Sequence, residues 1–191
     1  AWAFVSALVY GAVGSASNVA FTLRQSTMLI LAGVAVAVAF RAGIFNIGVQ
    51  GQFVVGGFAA TLSILTLVPV LPAGTLGGAL LMLVGALAAI AAGGAYAALP
   101  GVMKAYADAN EVITTIMLNF IASGVVYYLV DGHLRPPGAS APNTESFPDY
   151  VSLPSIVFDS SSFSVIGLAI ALLAVAAAYV VMTRTRFGFD L

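Results

Sequence analysis

The 191-residue sequence has no cysteine and very little charge. Without cysteine there can be no disulfide, no thiolate metal site and no thiol nucleophile. Six Lys or Arg and seven Asp or Glu make up 7% of the chain, against about 25% in ordinary soluble domains. A compact soluble domain of this size still exposes roughly a third of its unfolded surface to water. So few charges cannot cover it, and a soluble globular domain is excluded. A net charge of −1 excludes the basic footprint that nucleic acid requires. The single histidine, His133, has no second histidine or cysteine with which to hold a metal. What the chain does have is 61% hydrophobic residues and a mean hydropathy of +1.09. It reads as an integral membrane protein.

The charge-free intervals place the spans, because a crossing helix needs about 20 apolar residues. The 62 residues between Arg41 and Lys104 carry no charge. They fit two helices, near 51–70 and 74–99, joined by a turn at Pro69 and Pro72. Further spans are predicted over 112–130 and 163–183. The apolar segment 27–40 is short for a crossing unless its neighbours extend it. Residues 1–24 mix Trp2, Phe4 and Tyr10 with Gly11, Gly14, Ser15 and Asn18. They are compatible with a span, an interfacial helix or the tail of a loop. Residues 131–162 hold five of the eight prolines and four of the seven acids. Lipid cannot satisfy such a backbone, so this segment is predicted to be an aqueous loop. Counting crossings from it puts Arg41, Lys104, Arg184 and Arg186 on one side, and Arg24 and Arg135 on the other. The basic-rich side is expected to be cytoplasmic and the 131–162 loop external. The expected fold is all-α, a polytopic membrane helix bundle of about five to six spans.

Polar residues are the informative ones inside a membrane. One cluster is Arg41-Ala-Gly43-Ile-Phe-Asn46-Ile-Gly48-Val-Gln50-Gly51-Gln52. Glycine weakens a helix by about 1 kcal/mol relative to alanine, so Gly43, Gly48 and Gly51 predict a broken or re-entrant helix. Two readings fit this spacing. In one, half-helix ends line a transport pathway with Asn46, Gln50 and Gln52, the first two sharing a helix face. In the other, the segment is a cytoplasmic turn. Gly43 and Gly48 are spaced as in a phosphate-binding loop, but the required Lys and Ser/Thr are absent. The second cluster places Glu111, Thr115, Asn119, Ser123 and Tyr127 at every fourth residue. Four-residue steps drift about 40° each on a helix, so this stripe winds. Thr115 and Asn119 are candidates for the pathway, and interhelical hydrogen bonding is the competing role. Asp108 with Glu111 three residues on reads as a capping box, starting a helix at 109. Gly77, Gly78, Gly85, Gly93 and Gly94 read as close-packing positions.

No G-x-S-x-G or H-E-x-x-H motif is present, and all seven acids fall at span ends or in loops. An enzyme is therefore not expected. Nothing resembles a ring of acids or a filter repeat, which argues against a passive channel. A helical transporter subunit remains.

Together the two clusters carry a family resemblance. FRAGIFNIGVQGQFVVGG resembles the F-N-I-G-x-x-G-Q signature of permease subunits of ATP-binding-cassette importers, in the branch for branched-chain amino acids, ribose and nucleosides. ANEVITTIMLNFIA resembles the N-E-V-x-T-x-M-L-N-x-I segment of its simple-sugar and nucleoside subgroup, and the closing TRFGFDL looks like the entry to that subgroup's next cytoplasmic loop. The resemblance implies a multi-pass permease of the bacterial inner membrane that moves nucleosides or simple sugars. A branched-chain amino acid or another small solute is the alternative. It implies a second permease subunit, cytoplasmic ATP-binding subunits that consume the ATP, and an external substrate-binding protein or lipoprotein, with no cofactor on this chain. Asn46, Gln50, Gln52, Glu111, Thr115 and Asn119 occupy motif positions. Family members commonly carry an acid in the x-x pair, where this chain has Val49 and Gln50. The opening AWAFVSALVY and the position of TRFGFDL make residues 1–191 read as one transmembrane permease domain in fragment form. The first span or spans would precede it. The ATPase-docking loop and final spans are expected after Leu191.

Overall fold

A computed structural model describes residues 2–158, 161–186 and 188. Two compact units are present, residues 1–43 with 153–191, and residues 44–152. Among the described residues, five helices are long and apolar enough to cross a membrane.

The first unit contains α1 (Trp2–Val13), α2 (Ala16–Arg41), a hairpin of β1 (Ile156–Phe158) and β2 (Ser161–Phe163), and α6 (Val165–Arg184). At about 1.5 Å per residue, α1 is some 18 Å long and too short to cross. It ends where Ser15 turns extended and caps α2 by accepting from Asn18 N–H. Asn18 Nδ2 then donates to Tyr10 O at 2.8 Å, and Thr22 Oγ1 to Ala12 O at 2.8 Å. The last carbonyls of α1 are thus satisfied by side chains of α2. This cap resolves the ambiguous terminus and corrects the short 27–40 segment, because one 26-residue helix runs through both. It also places Arg24 inside a helix, its guanidinium 5.8 Å from the Phe21 ring centroid. Ser164 caps α6 in the same manner, accepting from Gly167 N–H and donating to Pro154 O at 3.0 Å.

The second unit contains α3 (Val49–Leu67), α4 (Thr75–Ala107), α5 (Glu111–Leu129) and a π-helical turn (Val130–Leu134). Ile64, Leu81 and Val151 form its buried centre, flanked by Leu67, Leu71, Met82 and Tyr150. The faces of α3 and α4 approach closely through glycine. A Cβ on Gly56 would stand 3.0 Å from Ala89 O, and one on Gly93 would stand 3.2 Å from Gln52 O. Gly85 and Gly77 are likewise close-packed, the former on Ile64 and the latter on Pro72, whereas Gly94 faces open space. The predicted span 74–99 ends too early. The helix continues through Pro100, which is buried, to Ala107. Proline removes one intrahelical hydrogen bond but leaves its own φ compatible with a helix.

The junction of α4 and α5 corrects the predicted capping box. Asp108 does not open a helix; it closes α4 in a left-handed conformation with φ 48°. Its N–H bonds to Lys104 O at 3.1 Å, the single bond of the αL capping motif, and Ala109 N–H bonds to Met103 O at 3.3 Å. The cap of α5 is Asn110, whose Oδ1 accepts from Val112 and Ile113 N–H at 3.0 and 3.2 Å. Glu111 is the first helical residue, and its carboxylate pairs with Lys104 across the turn.

The polar segment after α5 opens with an Arg135–Asp131 ion pair at 2.8 Å. Arg135 also donates to Ala139 O. The far end of that segment forms the β1–β2 hairpin, with Ile156 opposite Phe163.

Candidate functional site

All five residues proposed from sequence to line a pathway belong to the second unit, and four of them meet at the start of α3. Residues 42–48 are non-helical. The helix α2 ends at Arg41, and Gly43 takes φ +72° just beyond it, a conformation that side chains disfavour. Asn46 lies in this linker and not in a helix, so it shares no helical face with Gln50. Its Oδ1 accepts from Gly48 N–H at 2.8 Å and from Gln52 Nε2 at 3.1 Å. That closes a local side-chain turn and satisfies one of the orphan donors at the start of α3.

Two side chains of α5 complete the junction. Thr115, 1% exposed, accepts from Ile47 N–H at 3.3 Å and donates to Glu111 O at 2.7 Å. Asn119 Oδ1 accepts from Gly51 N–H at 2.7 Å, while its Nδ2 donates to Ile47 O at 3.0 Å. Ile47 O and Gly51 N–H are an i, i+4 pair, which would bond to each other in a continuous helix. The Asn119 amide stands between them as a replacement peptide group. The α3 ladder proper begins one rung later, with Gln52 N–H on Gly48 O at 3.1 Å.

Glycine makes this approach possible. A Cβ on Gly51 would fall 2.9 Å from Asn119 Oδ1 and 3.1 Å from Asn119 Cα. One on Gly48 would fall 2.9 Å from Asn46 Oδ1 and 3.2 Å from Thr115 Cβ. The glycines predicted to break the helix thus do two jobs: Gly43 turns the chain, and Gly48 and Gly51 admit the α5 side chains.

Helix α4 reaches the same neighbourhood through Tyr96, whose hydroxyl donates to Leu118 O at 2.7 Å. Sequence reasoning passed over Tyr96 and Asn110. A hydroxyl deep within the apolar 74–99 segment was the available signal for Tyr96, and the stronger N-cap preference of asparagine was the signal for Asn110. The remaining members of the fourfold stripe diverge as the helical drift requires. Ser123 bonds back to Asn119 O at 2.9 Å within α5, and Tyr127 is exposed. Gln50 also stands apart: its side chain is exposed and makes no hydrogen bond among the described residues.

Electrostatically the junction is neutral. It is built from amides, one hydroxyl and backbone dipoles, with the Lys104–Glu111 pair at the start of α5 as its nearest charges along that helix. Among the described residues, no group of three or more His, Cys, Asp or Glu is placed to hold a metal ion. The arrangement satisfies its own amides and leaves the exposed Gln50 side chain beside them. It offers no acid, base or nucleophile for bond cleavage.

Comparison with known proteins identifies the fold. The family described as the permease component of branched-chain amino acid transport systems matches residues 18–191. A glucose ABC transporter permease protein of Haloferax volcanii is 38% identical over 184 residues, covering 88% of this chain and 44% of that protein. A guanosine ABC transporter permease protein of Bacillus subtilis is 36% identical over 209 residues, covering 97% of this chain and 51% of the relative. A nucleoside ABC transporter permease protein of Lactococcus lactis is 28% identical over 192 residues, covering 96% and 50%. The chain therefore spans about half the length of the curated relatives it matches. No solved structure matches.

Proposed function

We propose that this chain, which belongs to the permease-component family of branched-chain amino acid transport systems, forms the membrane-spanning part of an ABC importer for a nucleoside or a simple sugar. As a multi-pass protein of the plasma membrane it supplies the route, and separate cytoplasmic ATP-binding subunits supply the energy. A second permease subunit and an external substrate-binding protein complete the assembly. The observation that carries this reading is the junction itself. The two sequence stretches that resemble the family, Asn46–Gln52 and Glu111–Asn119, are joined by direct hydrogen bonds. The names of the relatives, glucose, guanosine and nucleoside permeases, support the substrate class.

Within the junction we assign different roles to the five polar residues. Asn46, Gln52, Thr115 and Asn119 spend their hydrogen-bonding groups on the start of α3, and they position it. Gln50 is the side chain left to meet a solute. It belongs to the Val49–Gln50 pair, in which the family resemblance implies an acid, so the route here presents an amide, which both donates and accepts. Such a group suits a hydroxyl-rich or heterocyclic neutral solute.

The test is ATP-dependent uptake by the intact system in proteoliposomes, with labelled nucleosides, simple sugars and leucine offered in parallel. Accumulation of a nucleoside or sugar is the expected result. Uptake of leucine alone would transfer the chain to the branched-chain amino acid class named by the family. Flux that persists without ATP would make it a channel and end the importer reading.

A further inference from the structure

A second feature lies in the first unit and is unused by the amide junction. Helices α2 and α6 run side by side in the same direction. A Cβ on Gly167, near the start of α6, would stand 3.8 Å from Thr27, and the last turns of both helices share one groove. That groove has a volume of about 290 Å³. Val34, Ala37 and Val38 form one wall, and Val175 and Ala178 the other. Arg41 stands at the end of the groove and is its one charged lining residue among the described residues.

The described residues of this unit include Arg24, Arg41, Arg184 and Arg186, and its two acids, Asp159 and Asp190, lie outside them. Arg41 forms no ion pair among the described residues, and Thr183, which shares the groove, already donates its hydroxyl to Tyr179 O at 2.6 Å. Arg184 ends α6 as Arg41 ends α2, so two guanidinium groups mark the same end of the helix pair. An apolar slot with a guanidinium at its mouth matches an amphiphile with an anionic head. Basic pockets between transmembrane helices bind acidic lipid headgroups in this way. Arginine also pairs with phosphate through two parallel N–H donors.

We propose that the α2–α6 groove binds one acyl chain of an anionic phospholipid, with the lipid phosphate on Arg41. A zwitterionic lipid would fill the slot but bring its own cation to the phosphate. The site is independent of what the transporter carries.

Native mass spectrometry of the full-length transporter tests this, after delipidation and titration with phosphatidylglycerol or phosphatidylcholine of matched acyl chains. Wild-type protein is expected to retain phosphatidylglycerol at least about fivefold more strongly, the scale of one basic residue near a membrane surface. Arg41→Gln should abolish the preference, and Ala178→Phe, which fills the slot, should weaken retention of both lipids. Equal retention of the two lipids by the wild type would overturn the proposal. So would an undiminished preference in monodisperse Arg41→Gln protein. Should that variant fail to fold, wild-type protein with a photoreactive phosphatidylglycerol gives the answer. Adducts on residues 175–183 would support the site, and their absence there, or a crosslink from Val175 to another protein segment, would overturn it.

Discussion

Replacing Asn119 by leucine separates a positioning amide from a solute-binding one. Leucine is of similar reach but can neither donate nor accept. The substitution strips Gly51 N–H and Ile47 C=O of partners that now stand at 2.7 and 3.0 Å. Gly51 is buried, and an unpaired buried backbone group costs about 1–3 kcal/mol, whereas Ile47 is exposed and adds little. These two groups are rung partners, so part of that loss returns if the first turn of α3 closes on itself. Closure requires the turn to shift away from α5, because Gly51 now packs against the Asn119 backbone. A net local cost of about 2 kcal/mol is expected, or roughly a 30-fold rise in the opening equilibrium.

Hydrogen–deuterium exchange on the full-length transporter in nanodiscs reads this directly. Peptides covering residues 44–53 should exchange roughly 30-fold faster in Asn119→Leu, with the 60–67 segment of α3 unchanged. Uptake should fall with the loss of order, in maximal rate more than in apparent affinity. Exchange in 44–53 within twofold of wild type would refute the clamp. If the apparent affinity for the solute then fell while exchange held, Asn119 would belong to the pathway.

Four further substitutions test the same geometry. Gly51→Ala brings a Cβ to 2.9 Å from Asn119 Oδ1, and overpacking of this kind costs about 1–3 kcal/mol, which thermal unfolding in detergent should register as a lower Tm. Asn110→Ala removes the α5 cap and should cost about 1 kcal/mol; Asp108→Gly should be neutral or stabilising, since glycine takes φ 48° freely, and the opposite ranking of their Tm values would restore the capping box. Gln50→Ala should leave Tm unchanged while raising the apparent KM about tenfold, the scale of one lost hydrogen bond to solute, and an unchanged KM would remove Gln50 from the route.

Composition and charge spacing were enough to read the architecture, and the places where they fell short share a cause. The α3, α5 and α6 spans were legible because charges or turn prolines bound them. Arg24 masked α2: a charge one-third of the way along a 26-residue helix interrupts the hydropathy signal although the backbone runs on. Pro100 masked the end of α4 similarly, since proline marks a helix end in water more reliably than in a packed bundle. At the α4–α5 turn the acid spacing matched a capping box, yet Asn110 was the stronger cap. Asp108 was then free to close the preceding helix, where a short polar side chain tolerates the left-handed region.

The candidate site was legible as a set of residues but not as a set of roles, and the reason is chemical. In an apolar span a side-chain amide must find partners, and a solute, a neighbouring side chain or an open backbone rung would each justify the same asparagine. Polarity alone cannot separate these. Glycine can: Gly48 and Gly51 are spaced for side chains to reach a backbone, and each would place its Cβ against an atom of that network. A glycine pair at a helix start, together with a four-residue stripe of Thr and Asn on a later helix, therefore points to insertion of one helix's side chains into another's first turn. On that argument Thr115 and Asn119 are explained by α3 itself, and Gln50, which makes no hydrogen bond among the described residues, is the amide whose proposed role the KM measurement decides.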